Sequence, residues 1–306
     1  MDRPPVPDPR SALHLDAGLA RALAEAIGVP TSPDPPDPRA ALDALVSAMA
    51  RALPIGTVAK HEAIAAGVLP PGADADGCAR LALDQLDGPR PTPTSTSWTC
   101  WVITTLARGL VGSLWGWPAR IVATRNLDGR VPVDFHSVVE VDAPGATFVL
   151  DPLFAVGPIP VGGSGVRGAW AGTVKVEPDG RRHYRWATPG GTDARYRSVT
   201  EALDADDIAT FLHISTTHTG MSGRRWWRIS GTTTCASLTD DAECGPLLKR
   251  YTHDGRAWAV EESFIDRWTD ATSAAIDHVW HDGSARVEQV GRVARVGRVG
   301  RVQPGR

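Results

Sequence analysis

Cys100 has the clearest potential for covalent chemistry in this sequence of 306 residues. A polar run of possible helix-capping residues (94–97) precedes it, and apolar residues follow at helical spacing over 102–114. This pattern predicts a helix whose first turn contains Cys100. The backbone N–H groups and the dipole at a helix start favour an anion, so a thiol placed there can become a nucleophilic thiolate. A lone cysteine is more often a small buried residue, so its chemistry depends on which side chains the fold brings to it.

Two later residues, His136 and Asp151, supply a possible base and a carboxylate that could orient it. Strands are predicted for residues 134–141 and 147–150, and residues 142–145 between them are turn-forming. The two strands are therefore expected to form a hairpin with His136 on one strand and Asp151 at the end of the other.

The register of this hairpin decides whether the two side chains can meet. If the turn is centred between Ala143 and Pro144, His136 and Asp151 lie directly opposite each other, with Cβ atoms roughly 5 Å apart. At that separation a carboxylate can bind one imidazole nitrogen and stabilise the imidazolium. The sequence therefore predicts a Cys100–His136–Asp151 triad that forms an acyl-enzyme by attack on an acyl carbonyl or thioester.

Four short segments surround these residues: Cys100-Trp101, Trp117-Pro118-Ala119-Arg120-Ile121-Val122, Phe135-His136 and Val149-Leu150-Asp151-Pro152. They resemble the core of the transglutaminase-like cysteine enzymes. Within that superfamily the chain as a whole most resembles an arylamine N-acetyltransferase. The segment from Phe211 to His218, with Ser222, is similar to the Ser-Thr-His-Pro-x-Ser stretch of that family, although one extra threonine interrupts it.

The resemblance implies an α+β fold with a papain/transglutaminase-like core. It implies an N-terminal helical subdomain (11–95), a catalytic cysteine helix with a central antiparallel β-barrel (96–198) and a C-terminal α/β lid (199–285). Residues 1–10 and the Arg-Val repeats of residues 286–306 are predicted to be disordered because neither segment has a pattern that could bury a face.

Beyond the triad, the resemblance implies substrate- or donor-binding roles for Trp98, Trp101, Phe154, Ser215 and Thr216. The implied reaction moves an acyl group from a thioester donor, either acyl-CoA or an acyl carrier protein, through an acyl-cysteine to a small-molecule amine or hydroxyl acceptor. A biosynthetic pathway is a suitable setting for such a reaction. No tightly bound cofactor, metal, nucleic acid or membrane is expected to take part.

The sequence departs from the family pattern near the cysteine. Residues 95–100 replace the Arg-Gly-Gly-x-Cys lead-in, Val102 replaces an acidic residue, and residues 152–155 replace Val-Gly-Phe-Gly. The family positions its acceptor here, so the nucleophile is better supported than an arylamine substrate. Two alternatives therefore stay open: a transglutaminase-like peptidase, amidase or cross-linking enzyme, and a non-catalytic binding protein on the same fold.

The composition of the chain limits the classes of protein to which it can belong. A hydrophobic content of 42%, a charged content of 22% and a net charge of −3 fit a soluble globular chain and give no argument for nucleic-acid binding. The start of the chain lacks the apolar region of a signal peptide, and no apolar run is long enough for a membrane span. Four scattered cysteines do not suggest a disulfide framework. We therefore expect a reduced, cytoplasmic protein.

The pattern of the lid is less regular. It predicts a strand over 225–230 with 249–253 as a possible partner, and a terminal helix over 261–278. Arginines 224, 225 and 228 flank Trp226-Trp227. This cluster could contact a phosphate-bearing donor, but packing of the lid against the barrel is the simpler interpretation.

Overall fold

The structure, a computed structural model, describes residues 13–56, 74–86, 99–127, 135–187, 189, 193–199, 226–231, 233–241, 245–265 and 267–280. Its helices are α1 (Ala17–Ile27), α2 (Pro38–Ala52), α3 (Ala75–Leu86), α4 (Cys100–Trp115) and α5 (Trp268–Trp280). Its strands are β1 (Ile55–Gly56), β2 (Ala119–Asn126), β3 (Phe135–Ala143), β4 (Ala146–Asp151), β5 (Val156–Pro160), β6 (Ser164–Arg167), β7 (Trp170–Val176), β8 (Arg182–Trp186), β9 (Ala194–Ser198), β10 (Trp226–Ser230), β11 (Thr234–Asp241), β12 (Gly245–His253) and β13 (Trp258–Phe264). Within these ranges, no helix is both long and apolar enough to cross a membrane. The two segments predicted to be disordered lie outside the described residues.

Local sequence signals fix the ends of the N-terminal helices. The Asp16 carboxylate caps α1 by accepting hydrogen bonds from the N–H groups of Gly18 and Leu19, at 2.8 and 3.0 Å. The helix ends at Gly28, which has a left-handed φ of 81°. Pro38 occupies the first turn of α2, where its missing N–H costs no hydrogen bond. The apolar faces of α1, α2 and α3 share one core with α4.

Helix α4 lies at the centre of this core, and most of its side chains are buried. It packs closely on the residues before α1: a Cβ added at Gly109 would lie 2.8 Å from the Cβ of Leu15. The helix ends at Gly116, which again has a left-handed φ, of 67°. Because α4 is enclosed along most of its length, its first residue, Cys100, has a fixed backbone position.

An eight-stranded antiparallel sheet follows, with the strand order β5-β4-β3-β2-β9-β8-β7-β6. Its two edges approach each other, since Ile159 on β5 lies beside Gly165 on β6 and Gly172 on β7. A Cβ added at these glycines would lie 3.1 and 2.5 Å from the Ile159 side chain. The glycines thus allow the sheet to curl into a nearly closed barrel, which confirms the predicted antiparallel barrel. Its interior contains Val138, Trp170, Val174, Tyr184 and Trp186.

Three barrel strands were not expected from the sequence. Prolines 158 and 160 and the glycine-rich residues 162–165 predict a loop, but the structure has β5 and β6 there. Both strands lie at sheet edges, where a residue without an N–H and residues without side chains are tolerated. Strand β9, in contrast, is paired on both sides, with β2 and β8, although its short sequence gave no distinct signal.

A second antiparallel sheet has the order β1-β10-β11-β12-β13. One face packs on α5 through a cluster that includes Ile229, Leu238 and Leu248. Two sequence predictions were wrong here. Strand β10 pairs with β1 and β11 and not with the residues of β12. The predicted helix over 261–278 is too long, because its first residues belong to β13 and α5 begins at Trp268.

The other face of the second sheet contacts the barrel. The indole N–H of Trp170 donates to the carbonyl of Gly231 at 2.9 Å, and the Trp170 and Trp258 rings lie 5.3 Å apart. Strand β1 also joins the N-terminal helical region to this sheet. A strand in that region was missed from the sequence because it has only two residues.

Candidate active site

Helix α4 begins at Cys100, so Cys100 lies in its first turn, as the sequence pattern predicts. The preceding Thr99 is the N-cap, with an extended backbone and no side-chain capping bond. The Cys100 side chain is half-buried, whereas the Cys78 side chain on α3 is fully buried. Burial raises the pKa of the Cys78 thiol well above its usual range. Cys100 is thus the thiol of these two that lies at a helix start and is accessible to a substrate.

His136 and Asp151 form a buried pair inside one end of the barrel. The imidazole Nε2 lies 2.6 Å from the Asp151 Oδ2, and the two residues are 4% and 0% exposed. The backbone N–H of Phe154 donates to the other carboxylate oxygen, Oδ1, at 3.3 Å. Both carboxylate oxygens therefore have partners, and the carboxylate fixes the orientation of the imidazole.

The predicted register of the hairpin was wrong, although the contact formed. The structure pairs Ala143 with Ala146, so Pro144 and Gly145 are the two central residues of the turn. Gly145 has a φ of 89°, which the third position of a type II turn requires and which follows a proline at the second position. The register is shifted by two residues from the prediction. His136 and Asp151 stay on the same face because a shift of two preserves side-chain alternation, and they meet diagonally.

The imidazole is also coupled to the cysteine. Burial by itself lowers the pKa of His136, but the charge and hydrogen bond of Asp151, together with a hydrogen bond and charge interaction with Cys100, raise it to about 10. Because Nε2 is held by the carboxylate, Nδ1 is the ring nitrogen left to exchange a proton with the sulfur. The arrangement favours an imidazolium next to the Cys100 sulfur.

Aromatic rings enclose the imidazole. Phe154 contacts it edge-on, with ring centroids 5.4 Å apart, and Tyr196 on β9 lies 4.8 Å away. These apolar surfaces exclude water from the histidine and strengthen its interaction with Asp151. Tyr196 was not predicted as a site residue, since it lies on a strand that the sequence did not reveal.

A buried pair of hydroxyl groups joins the cysteine helix to the histidine strand. The Thr104 hydroxyl donates to the carbonyl of Cys100 at 2.8 Å and lies 2.9 Å from the Ser137 hydroxyl. Its single proton is used on the helix, so the Ser137 hydroxyl donates to it. Both side chains are 0% exposed. This link, which we call the Thr104–Ser137 bridge, fixes the start of α4 relative to His136, and the sequence gave no sign of it.

The remaining predicted site residues have different placements. Phe154 is half-buried and contacts the His136 ring. The Trp101 side chain is fully enclosed in the helical core, a position that does not support the predicted direct contact with substrate. Trp98, Ser215 and Thr216 lie outside the described residues. Across the described ranges, no group of three His, Cys, Asp or Glu side chains has the geometry of a metal site.

These residues form a coherent chemical arrangement. A half-buried sulfur at a helix start faces an imidazole whose other nitrogen is bound to a buried carboxylate. An imidazole held in this way can take a proton from the thiol and later give it to a leaving group.

Among the comparisons with known proteins, only the comparison with solved structures gives matches. No protein-family model matches the sequence, and no curated protein matches it. The structure is similar to an arylamine N-acetyltransferase of Mycobacterium smegmatis, with a TM-score of 0.62, 17% identity and coverage of 87% of this chain and 92% of that one. The Mycobacterium marinum arylamine N-acetyltransferase in complex with CoA gives a TM-score of 0.62, 16% identity and coverage of 86% and 91%.

An arylamine N-acetyltransferase from a third organism gives a similar match. The arylamine N-acetyltransferase of Salmonella typhimurium gives a TM-score of 0.60 at 12% identity, with coverage of 90% of this chain and 95% of that one. The similarity therefore spans nearly the whole chain, while the sequences have diverged widely. This chain has the fold of the arylamine N-acetyltransferases.

Proposed function

We propose that the protein is a cysteine acyltransferase, which moves an acyl group from a thioester donor through an acyl-Cys100 intermediate to an amine or hydroxyl acceptor. The observation that carries the proposal is the position of His136, which is bound to Asp151 on one side and coupled to Cys100 on the other. In this proposal Cys100 is the nucleophile, His136 moves the proton and Asp151 orients His136.

The first half-reaction acylates the cysteine. The Cys100 thiolate attacks the thioester carbonyl, a C–S bond forms, and the tetrahedral intermediate carries the negative charge on oxygen. Backbone N–H groups at the start of α4 would face this charge, because a helix start is the positive end of the helix dipole. The intermediate collapses, the donor thiolate leaves, and the His136 imidazolium protonates it.

The second half-reaction releases the acyl group. An acceptor amine or hydroxyl attacks the acyl-Cys100 carbonyl while His136, now neutral, takes its proton. The Cys100 thiolate leaves and again forms an ion pair with the His136 imidazolium. The enzyme returns to its starting state with no change in redox balance and no cofactor consumed.

The donor is a thioester of coenzyme A or of an acyl carrier protein. The CoA complex of the Mycobacterium marinum neighbour supports the first of these. The acceptor is a small molecule, and a biosynthetic role in the cytoplasm fits this chemistry. We further propose the layout stated above, with the helical subdomain over 11–95, the catalytic segment over 96–198 and the lid over 199–285.

Product analysis separates this proposal from the transglutaminase-like alternative. An acyltransferase releases a free thiol from acetyl-CoA in the presence of an amine acceptor, and Cys100→Ala abolishes the release. An amidase or cross-linking enzyme instead releases ammonia from glutamine-containing peptides. Ammonia release without thiol release would overturn the proposal.

A further inference from the structure

The guanidinium of Arg228 lies next to the candidate active site, in an unusual environment. It lies on β10, which is paired on both sides, with β1 and β11, so its backbone is fixed. Its guanidinium carbon lies over two aromatic rings, 5.6 Å from the centroid of Phe154 and 5.1 Å from that of Trp170. Phe154 in turn contacts the His136 imidazole. One aromatic ring therefore separates the guanidinium from the histidine.

The charge of this guanidinium has no carboxylate partner in the described part of the chain. Its Nε–H donates to the sulfur of Cys235 at 3.2 Å, while its Nη2 is buried and makes no hydrogen bond there. The two buried carboxylates of the barrel have other partners: Asp151 is bound to His136, and Glu140 to Arg120.

Such a charge is costly unless something compensates it. A half-buried guanidinium gives up part of its hydration, and aromatic rings replace only a part of that loss. Two other arginines of the barrel instead have a carboxylate partner, since Arg120 and Arg182 both form ion pairs with Glu140. The position of Arg228 has the features of a site that an anionic group of a ligand completes.

We propose that Arg228 and Phe154 form a subsite for a carboxylate that the substrate carries close to the reacting carbonyl. This inference rests on the proposed function, because it names the substrate class of the same site. The carboxylate belongs either to the acyl group, as in a dicarboxylic acyl thioester, or to the acceptor. The phosphates of coenzyme A are a poorer fit, because the pantetheine arm places them many bonds from the thioester.

Matched substrate pairs identify the source of the carboxylate. The first pair is succinyl-CoA and acetyl-CoA with aniline as a neutral acceptor. The second pair is 4-aminobenzoate and its methyl ester with acetyl-CoA as the donor. The variants are Arg228→Met, Arg228→Lys and, as a control, Arg256→Met, which changes an exposed arginine in the turn between β12 and β13.

We expect Arg228→Met to lower the ratio of kcat/KM for the anionic over the neutral member of one pair, roughly 10- to 100-fold. Arg228→Lys should lower this ratio by less, because lysine keeps the positive charge but lacks the planar guanidinium that binds a carboxylate with two hydrogen bonds. The control variant should keep the wild-type ratio. Loss in the first pair assigns the carboxylate to the acyl group, and loss in the second assigns it to the acceptor. Ratios within twofold of wild type in both pairs, for both Arg228 variants, would overturn the proposal.

A binding measurement separates this proposal from the acyl-transfer mechanism. Succinate or 4-aminobenzoate should raise the thermal unfolding temperature of the wild type and of Arg256→Met, but not of Arg228→Met. Circular dichroism checks that the variants fold, and Arg228→Lys serves in place of a misfolded methionine variant. If thioesters acylate Cys100 but neither selectivity nor the shift depends on Arg228, the subsite is wrong and the mechanism stands. If no thioester acylates Cys100 but the shift in unfolding temperature depends on Arg228, the mechanism is wrong and the subsite stands.

Discussion

Two buried carboxylates lie on the same interior face of the barrel and have different partners. Asp151 is bound to a histidine, whereas Glu140 is bound to the guanidinium of Arg120, through Nε at 3.0 Å, and accepts from the Tyr184 hydroxyl at 3.3 Å. Both carboxylates are almost completely buried. Burial of an acid therefore does not distinguish the two ends of the barrel.

The two carboxylates differ in the groups that they bind, and these groups differ in whether they can release a proton. The hydrogen bond to Glu140 raises the pKa of Arg120, so that guanidinium keeps its proton at every accessible pH. Burial and the nearby Glu140 charge raise the pKa of Tyr184, so its hydroxyl also keeps its proton. His136 can release its proton, and it lies beside a thiol. The Glu140 end is thus suited to hold the barrel together, and the Asp151 end is suited to move a proton.

The largest expected effect comes from exchanging each acid for its amide. Asp151→Asn should lower kcat/KM for thiol release by about 10²- to 10⁴-fold, because an amide can hold the imidazole in the wrong tautomer. Glu140→Gln should change kcat/KM by less than about threefold but lower the free energy of unfolding by about 1–3 kcal/mol, since it removes the charge of a buried carboxylate that binds Arg120 and Tyr184. Urea denaturation measures the second quantity. Similar losses of activity in both variants would remove the distinction between the two ends.

A second prediction concerns thiol reactivity. In the wild type, iodoacetamide should alkylate Cys100 rapidly at pH 7, because the His136 imidazole beside the sulfur keeps its proton there. His136→Gln should lower the rate at pH 7 by roughly 10- to 100-fold and make it rise with pH. Buried Cys78 and Cys235 serve as internal controls, read by peptide mass spectrometry. Labelling of Cys100 no faster than of these thiols would favour the non-catalytic alternative.

The Thr104–Ser137 bridge gives a smaller expected effect. Thr104→Val keeps the shape of the side chain but removes the hydroxyl, so kcat should fall about three- to tenfold while KM stays within twofold. Thr104→Ser should restore kcat. A loss of stability without a loss of kcat would mean that the bridge supports the fold and does not position the cysteine.

Much of this arrangement could be predicted from the sequence, because local signals determine it. Apolar spacing located α4, with Cys100 in its first turn. The hairpin register failed because the turn was centred one residue too early, yet side-chain alternation still brought His136 and Asp151 together. Sequence patterns did not reveal Arg228 beside Phe154, since that contact depends on how the second sheet packs on the barrel.

A further prediction concerns the pH dependence of stability. Folding raises the pKa of His136 from 6.5 to about 10, so the folded chain binds a proton more tightly than the unfolded chain does. This stabilisation is fully present below pH 6.5 and is lost as the pH rises through about 10. The double variant His136→Gln/Asp151→Asn, which lacks the imidazole and leaves no unpaired buried carboxylate, should show less of this decline in thermal unfolding. An equal decline in both proteins would place its origin elsewhere.

Intact mass spectrometry tests whether Cys100 is the nucleophile. The wild type and Cys100→Ala are incubated with a panel of acyl thioesters, without acceptor, and weighed. We predict that the wild type gains the mass of one acyl group, that peptide analysis locates it on Cys100, and that the variant gains nothing. The absence of an adduct with every thioester, or an adduct that persists in Cys100→Ala, would contradict acyl transfer through this cysteine.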